Sequence, residues 1–335
     1  MTTYLASLQT GLHESFRQDD RVFLLGEDIA DPYGGAFKVS KGLSTEYPGR
    51  VLSTPICEAG FTGVASGIAL RGLRPVVEIM FGDFLTLCTD QIVNHIAKFR
   101  GMYDNQVQVP IVIRTPMGGG RGYGATHSQC LEKMFLGVTD LCVVAPSHAH
   151  DPGQLLAHSI LNNDGPVLFI EHKTLYPLPL LLSGGVSGIN VRMVDEIAGY
   201  PTALLSNYDD GAPDVTLIAY GGISRWLVPL IQTLRDEEIR VLVAMPSSLK
   251  PLPMDTLVDA AGKSGKVIVI EEGTEGFNWG SEVAARLYER LFKKLLKPIV
   301  RIASEDRIIP VAKELEDQAL VGPEKTERAI EEMLS

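Results

Sequence analysis

Short apolar runs rich in valine and isoleucine alternate with helix-length segments along most of this chain, and that alternation leaves few ways to fold it. The runs fall at 22–25, 74–80, 109–115, 141–145 and 166–171, and helical spacing of apolar residues fills 4–18, 58–71, 84–100 and 152–162 between them. Strands joined by helices run parallel, and a parallel sheet buries its strands only when helices cover both faces. From Lys173 to Pro213 the periodicity weakens while Gly184, Gly185, Gly188, Pro201, Asn207 and Gly211 accumulate. The alternation then restarts, with strands at 215–221, 240–245, 266–272 and 298–303 and helices at 224–236, 255–261, 281–295 and 324–334. The expected architecture is α/β with two domains, each a mainly parallel sheet flanked by helices, over 1–180 and 213–335 with 181–212 as a linker.

Composition narrows the classes of function. The chain has 335 residues, 45% hydrophobic and 21% charged, with a formal net charge of −11. That is ample material for buried cores, and the negative balance argues against nucleic-acid binding. The first ten residues hold no basic segment followed by an apolar run, and no apolar stretch reaches the roughly 18 residues of a membrane span. Neither a signal peptide nor a membrane segment is expected, and the chain reads as cytoplasmic. Cys57, Cys88, Cys130 and Cys142 show no CxxC spacing, so neither a zinc site nor a disulfide framework is expected. They fit buried thiols in a reducing compartment.

The chemistry-bearing residues sit where strands end. Arg114-Thr-Pro-Met-Gly-Gly-Gly-Arg-Gly-Tyr-Gly-Ala-Thr-His-Ser-Gln129 takes the run at 109–115 into a glycine-rich loop that delivers His127. Ligands of parallel α/β sheets bind at that carboxyl edge. Gly118, Gly119, Gly120, Gly122 and Gly124 pack no core, which points to positive φ angles or close approach of a ligand or another chain, with a flexible surface loop as the alternative. No GxGxxG lies between a strand and a helix, and GxxxxGK[ST] and GxSxG are absent, so dinucleotide, P-loop and serine-hydrolase readings fall away. Glu27 and Asp28 close the first strand, as reactive groups or as solvated strand ends. Glu58 opens a helix, where a carboxylate also serves as a plain electrostatic cap. Phe84 follows the run at 74–80, as a stacking ring or a core aromatic. Behind Glu58, Gly60, Gly63 and Gly67 share one helical face at about 1 kcal/mol each relative to alanine, a cost offset by close packing within this chain or against a neighbour.

Several segments together resemble the β subunit of the thiamine-diphosphate-dependent 2-oxo acid dehydrogenases, whose fold is shared with transketolase. They are Leu25-Gly-Glu-Asp28, Gly35-Ala-Phe-Lys-Val-Ser-Lys-Gly42, Thr54-Pro-Ile-Cys-Glu58, Gly72-Leu-Arg-Pro75, Asp90-Gln-Ile-Val-Asn94, the loop 114–129 and Glu171-His-Lys-Thr-Leu-Tyr176. The resemblance covers nearly the whole chain and continues weakly through Glu271-Glu-Gly273. It implies a pyrimidine-binding domain over 1–180 and a transketolase C-terminal-like domain over 213–335. By the same resemblance Glu58 is the glutamate that hydrogen-bonds N1′ of the cofactor's aminopyrimidine, Phe84 stacks on that ring, and His127 stands at the substrate end. Glu27 corresponds to an acidic residue of the polar tunnel between paired sites. The loop glycines are then expected to make room for a partner chain and substrate.

The resemblance also says what is missing. The family holds the diphosphate through magnesium bound by a Gly-Asp-Gly segment and a later asparagine, whereas Gly82-Asp83 here is followed by Phe84. This chain therefore carries no metal ligands of its own for that purpose, and a separate α subunit, in an α2β2 heterotetramer, is expected to bring Mg2+ and the diphosphate contacts. Leu161-Asn-Asn-Asp164 replaces the segment that usually supplies an aspartate to a structural cation, which puts K+ binding in doubt. Leu87 stands where a glutamine is frequent, and Ser304-Glu-Asp-Arg-Ile-Ile-Pro310 departs from the common C-terminal pattern. The implied reaction is decarboxylation of a 2-oxo acid with acyl transfer to the lipoyl group of an acyltransferase. Two alternatives stand beside it: two-carbon ketol transfer from a ketose phosphate to an acyl carrier protein thiol, and a noncatalytic scaffold that kept the fold.

Overall fold

In a computed structural model of the chain, which describes residues 1–181 and 186–335, two sheets carry thirteen strands. The strands are β1 (Val22–Gly26), β2 (Val51–Ser53), β3 (Arg74–Glu78), β4 (Val112–Met117), β5 (Cys142–Val144), β6 (Val167–His172), β7 (Asn190–Ile197), β8 (Tyr200–Ser206), β9 (Val215–Ala219), β10 (Val241–Pro246), β11 (Ser248–Lys250), β12 (Val267–Thr274) and β13 (Val300–Ser304). The helices are α1 (Tyr4–Gln18), α2 (Leu43–Glu46), α3 (Glu58–Leu70), α4 (Phe99–Met102), α5 (Pro152–Leu161), α6 (Ser224–Asp236), α7 (Met254–Ser264), α8 (Trp279–Leu291), α9 (Lys313–Ala319) and α10 (Pro323–Leu334).

The first sheet has the order β11-β5-β6-β4-β3-β1-β2, and β1 to β6 run parallel. Strands β3, β4 and β6 are buried along their whole length, as a doubly covered sheet demands. The second sheet has the order β13-β12-β9-β10-β8-β7, parallel from β13 to β10 and antiparallel through β8 and β7. The seventh strand of the first sheet, β11, comes from the second half of the chain and pairs antiparallel with β5. One apolar core then runs from Leu25 and Ile113 of the first sheet to Leu242 and Val269 of the second.

Two expectations are corrected. The stretch 181–212, read as a linker, carries the hairpin β7–β8. Ala198 and Gly199 both take positive φ (54° and 82°), the backbone a two-residue hairpin turn needs, whereas Gly188, Asn207 and Gly211, which read as linker punctuation, flank the two strands. Gly184 and Gly185 lie outside the described residues. The helix expected over 84–100 is replaced by a 3-10 turn at Gly82–Cys88, a π-helical turn at Gln91–Ile96 and the short α4. The hydroxyls of Thr86 and Thr89 donate to the carbonyls of Asp83 and Leu85 at 2.9 and 3.0 Å, competing with a regular helical ladder.

A buried ion network ties the central strands together. Arg114 of β4 donates from Nε and Nη2 to Glu171 of β6, both at 2.7 Å, and from Nη1 to Glu78 of β3. The Tyr176 hydroxyl donates to Glu171 at 2.7 Å. Burial raises the Glu78 carboxyl above its ordinary value although Arg114 pulls the other way. Removing the guanidinium strands two buried carboxylates, so Arg114→Met should destabilise the fold by about 3–5 kcal/mol in urea titration. A loss under 1 kcal/mol contradicts this role.

The halves also meet at His148, whose Nδ1 lies 2.7 Å from the Ser224 hydroxyl at the start of α6. Burial lowers this imidazole from 6.5 to about 4, and burial lowers the neighbouring His150 to about 4 as well. Between those limits the unfolded chain binds more protons than the folded one. Their stabilising contribution is therefore whole above about pH 6.5 and is lost as pH falls toward about 4. Each contributes a slope of up to about 1.4 kcal/mol per pH unit in that window. His148→Gln should remove that much of the slope in urea midpoints taken from pH 6.5 downward. Parallel curves for variant and parent would show that His148 is not buried neutral.

Candidate functional site

Because β1 to β6 are parallel, their carboxyl ends share one edge, and every residue singled out in the sequence lies there. Strand order β3-β1-β2 brings the end of β1 beside the loop that leads from β2 to α3, where the Thr54 amide donates to the Gly26 carbonyl at 2.9 Å. Glu27 and Glu58 are thereby close to each other and both buried, at 4% and 5% exposure. Burial raises the Glu27 carboxyl, and the negative charges of Glu58 and Asp28 raise it further. One Glu27 oxygen, Oε2, is buried without a hydrogen-bond partner among the described residues. Glu58 is the first residue of α3, so its charge also meets the helix N-terminus. The unpartnered Glu27 oxygen leaves acceptor capacity to spare at this buried spot.

Phe84 and His127 form a second group. The His127 ring packs edge-on against Phe81 at 4.6 Å between centroids and against Phe84 at 5.2 Å. Tyr33, Ala36, Phe37, Met80, Phe81, Tyr123 and His127 line an open cavity of about 470 Å3. The Thr126 hydroxyl lies 3.0 Å from His127 Nδ1, which leaves Nε2 for whatever enters. Neither Glu27 nor Glu58 lines this cavity. Phe81, Tyr123 and Phe37 were not singled out in the sequence. Phe37 and Tyr123 lie inside the segments 35–42 and 114–129, and Phe81 immediately precedes the 3-10 turn that carries Phe84.

The loop that carries His127 is held from both ends. At its far end the Gln129 side-chain amide donates to Asp83 at 2.7 Å, fastening the loop to the turn that bears Phe84. At its near end three glycine amides are captured by carboxylates of the second half. Gly119 donates to Glu272 at 2.7 Å, while Gly120 and Gly122 donate to the two oxygens of Glu316 at 2.9 and 3.0 Å. Gly118, Gly120, Gly122 and Gly124 all have positive φ. A methyl group on Gly119 would stand 2.6 Å from Leu320, on Gly120 2.3 Å from Arg225 and on Gly124 2.6 Å from Val311. These glycines make room for this chain's own second domain, which corrects the expectation of a partner chain and substrate there. Glu272 and Glu316 have no sequence pattern that links them to residues so far away.

The helix α3 behaves in the opposite way. A methyl on Gly67 would meet nothing within 4 Å, and on Gly63 only Gln91 at 3.8 Å. On Gly60 it would meet Cys57 of the same segment at 3.0 Å, so among the described residues no other element packs tightly on the stripe. Beside it Leu52, Ile56, Val64 and Leu87 are exposed.

Comparison with known proteins agrees with this geometry. Residues 1–179 match the model of the transketolase pyrimidine-binding domain and residues 206–326 that of the transketolase C-terminal domain. The chain is 37% identical to the mitochondrial pyruvate dehydrogenase E1 component subunit β-2 of Oryza sativa subsp. japonica, over 95% of this chain and 82% of that protein. It is 34% identical to the 2-oxoisovalerate dehydrogenase subunit β of Bacillus subtilis, over 99% and 98%, and 36% identical to the acetoin:2,6-dichlorophenolindophenol oxidoreductase subunit β of the same organism, over 93% and 91%. Among solved structures, a split-gene transketolase described as an inactive β4 tetramer aligns with a TM-score of 0.71 over 98% of this chain and 96% of that one, at 18% identity, a likeness of fold alone. The chain belongs to the β-subunit family of the thiamine-diphosphate-dependent 2-oxo acid dehydrogenases.

Proposed function

We propose that this chain is the β half of a two-chain enzyme that decarboxylates a 2-oxo acid and passes the acyl group to the lipoyl group of an acyltransferase, working with a separate α subunit in an α2β2 heterotetramer. One observation carries the reading: the buried Glu58 heads a helix whose glycine face meets only Cys57 at Gly60, Gln91 at Gly63 and nothing at Gly67 among the described residues, beside exposed Leu52, Ile56, Val64 and Leu87. A carboxylate placed at the margin of an apolar, loosely covered face suits a site completed by a second chain.

The residues fit the aminopyrimidine end of thiamine diphosphate, because Glu27 and Glu58 offer buried carboxyls, one with an orphaned oxygen, at the strand edge that also carries the aromatic-walled cavity. When bound, that cofactor supplies the carbanion chemistry. In this assignment Glu58 hydrogen-bonds ring N1′ and holds or releases the proton there. Glu27, whose carboxyl is pushed up by burial and by the charges of Glu58 and Asp28, stands near it as a second acid. Phe84 gives the pyrimidine a ring to pack on and braces His127. His127 presents Nε2 to the cavity, where it donates to a substrate oxygen or moves a proton. Magnesium and the diphosphate are assigned to the α chain, since Gly82-Asp83 is followed by Phe84 where the family's metal segment has glycine. No potassium site is assigned at 161–164, where the carbonyls of Ile160 and Asn163 accept from Arg74 at 3.0 Å each. Four free cysteines support a reducing compartment, the cytoplasm in this proposal, and no described helix is long and apolar enough to cross a membrane.

Reconstitution tests the half-site. The chain alone should bind thiamine diphosphate weakly and decarboxylate nothing, whereas the α–β pair should do both; full activity without the partner contradicts the proposal. In the pair, Glu58→Gln should slow exchange of the C2 proton of bound cofactor by about 10²–10⁴-fold while the melting curve stays in place. His127→Gln should lower kcat by roughly 10²–10³-fold and leave C2 exchange intact. Equal losses in both assays for His127→Gln would move it from the substrate end to the cofactor.

A further inference from the structure

Away from the aromatic cavity, the far end of the glycine loop, the end of β6 and the end of β12 converge on one point between the two sheets. Cys130 Sγ, His172 Nε2 and a Glu272 carboxylate oxygen lie there within 4.8 Å of one another. We propose that these three side chains bind a zinc ion, with one water as fourth ligand, and that the ion staples the His127 loop and the first sheet to the second domain. This site is separate from the cofactor site proposed above.

The donor set is the first argument. Thiolate, imidazole and carboxylate are the three ligand types zinc combines, and three protein ligands with an open position form a common zinc arrangement. Cys130 is a free thiol. A cavity of about 20 Å3 bordered by Cys130, His172, Glu272, Glu132 and Tyr220 adjoins them, which is room for about one water.

The second argument is how firmly the donors are held. Glu272 spends Oε1 on the Gly119 amide at 2.7 Å and turns Oε2 to within 2.9 Å of His172 Nε2. The His172 ring is wedged, since a methyl on Gly118 would stand 1.8 Å from it and one on Gly222 2.2 Å. Its Nδ1 lies 2.8 Å from the Thr174 hydroxyl, the kind of outer partner that orients a metal-binding imidazole. The 2.9 Å between His172 Nε2 and Glu272 Oε2 must widen by a few tenths of an ångström, to roughly 3.3 Å, for both to reach one ion at about 2 Å, and the Cys130 sulfur must close to about 2.3 Å from the same ion.

Charge is the third. Glu272, Glu132, Asp83 and Lys173 face Cys130, with Glu271 beside Glu132, Lys133 facing both of those acids, Arg225 facing Glu272 and Arg121 facing Lys173. Binding releases the thiol proton to solvent and moves the imidazole proton from Nε2 to Nδ1, where the Thr174 hydroxyl accepts it, so the ion's two charges are matched by the Cys130 thiolate and the Glu272 carboxylate. His172 and Glu272 are 100 residues apart, which is why no short spacing in the sequence announces the site.

The test uses the full chain in a Cys57→Ser background, which removes the exposed thiol. Purified without chelator, it should carry close to one zinc per chain by elemental mass spectrometry, and Co2+ loaded in place of zinc should give a thiolate-to-cobalt charge-transfer band. Cys130→Ser should abolish the band, lower zinc affinity by at least about tenfold and remove the zinc-dependent rise in melting temperature. If that variant melts early even with chelator present, the cobalt band of the parent decides alone. Absence of both zinc and the band in the parent, or a band that survives Cys130→Ser in a folded variant, overturns the proposal.

Discussion

The architecture depends on the capture of three backbone amides by two carboxylates. Gly119, Gly120 and Gly122 leave β4 without a helix or strand to receive their N–H groups, and Glu272 and Glu316 of the second domain accept all three. Bonds to an ionised acceptor are the strong kind, contributing about 1.5–3 kcal/mol each. They hold the loop against the second domain, Gln129 holds its far end to Asp83, and His127 is suspended between the two attachments. The second domain therefore sets the position of a first-domain side chain. Strand β11, donated to the first sheet from the second half, binds the domains in the same sense.

Much of the fold was legible because β-branched runs and helical spacing report burial directly. Strands β3, β4, β6, β9, β10 and β12 appear where apolar runs predict them, since both faces of each are covered. The hairpin β7–β8 was hidden because residues that also mark linkers flank its two strands. The failure at 84–100 came from threonines, whose hydroxyls compete for the carbonyls a helix needs. Spacing alone does not reveal that competition.

At the site, each candidate residue was visible one at a time at a strand end, but not its neighbours. Glu27 meets Glu58 only because β1 lies between β3 and β2, and Phe84 meets His127 only because β3 lies beside β4. The carboxylates that clamp the glycine loop come from β12 and α9 and were invisible for the same reason. The two groups of glycines have opposite meanings that look alike in sequence. Those of the loop are filled by this chain's own side chains, while the face of α3 is only loosely covered beside exposed apolar residues. Only the second group calls for another polypeptide, and it lies next to Glu58.

The dependence of the His127 loop on the second domain is open to direct measurement. Hydrogen exchange of the Gly119–Gly122 amides, read by mass spectrometry on short peptides of the full chain, should be slow in the parent. In Glu316→Ala the Gly120 and Gly122 amides should exchange at least about tenfold faster, a loss of about 1.4 kcal/mol or more of protection, while peptides from β4 itself stay unchanged. Fast exchange at these glycines in the parent, or protection untouched by the loss of Glu316, would contradict the account.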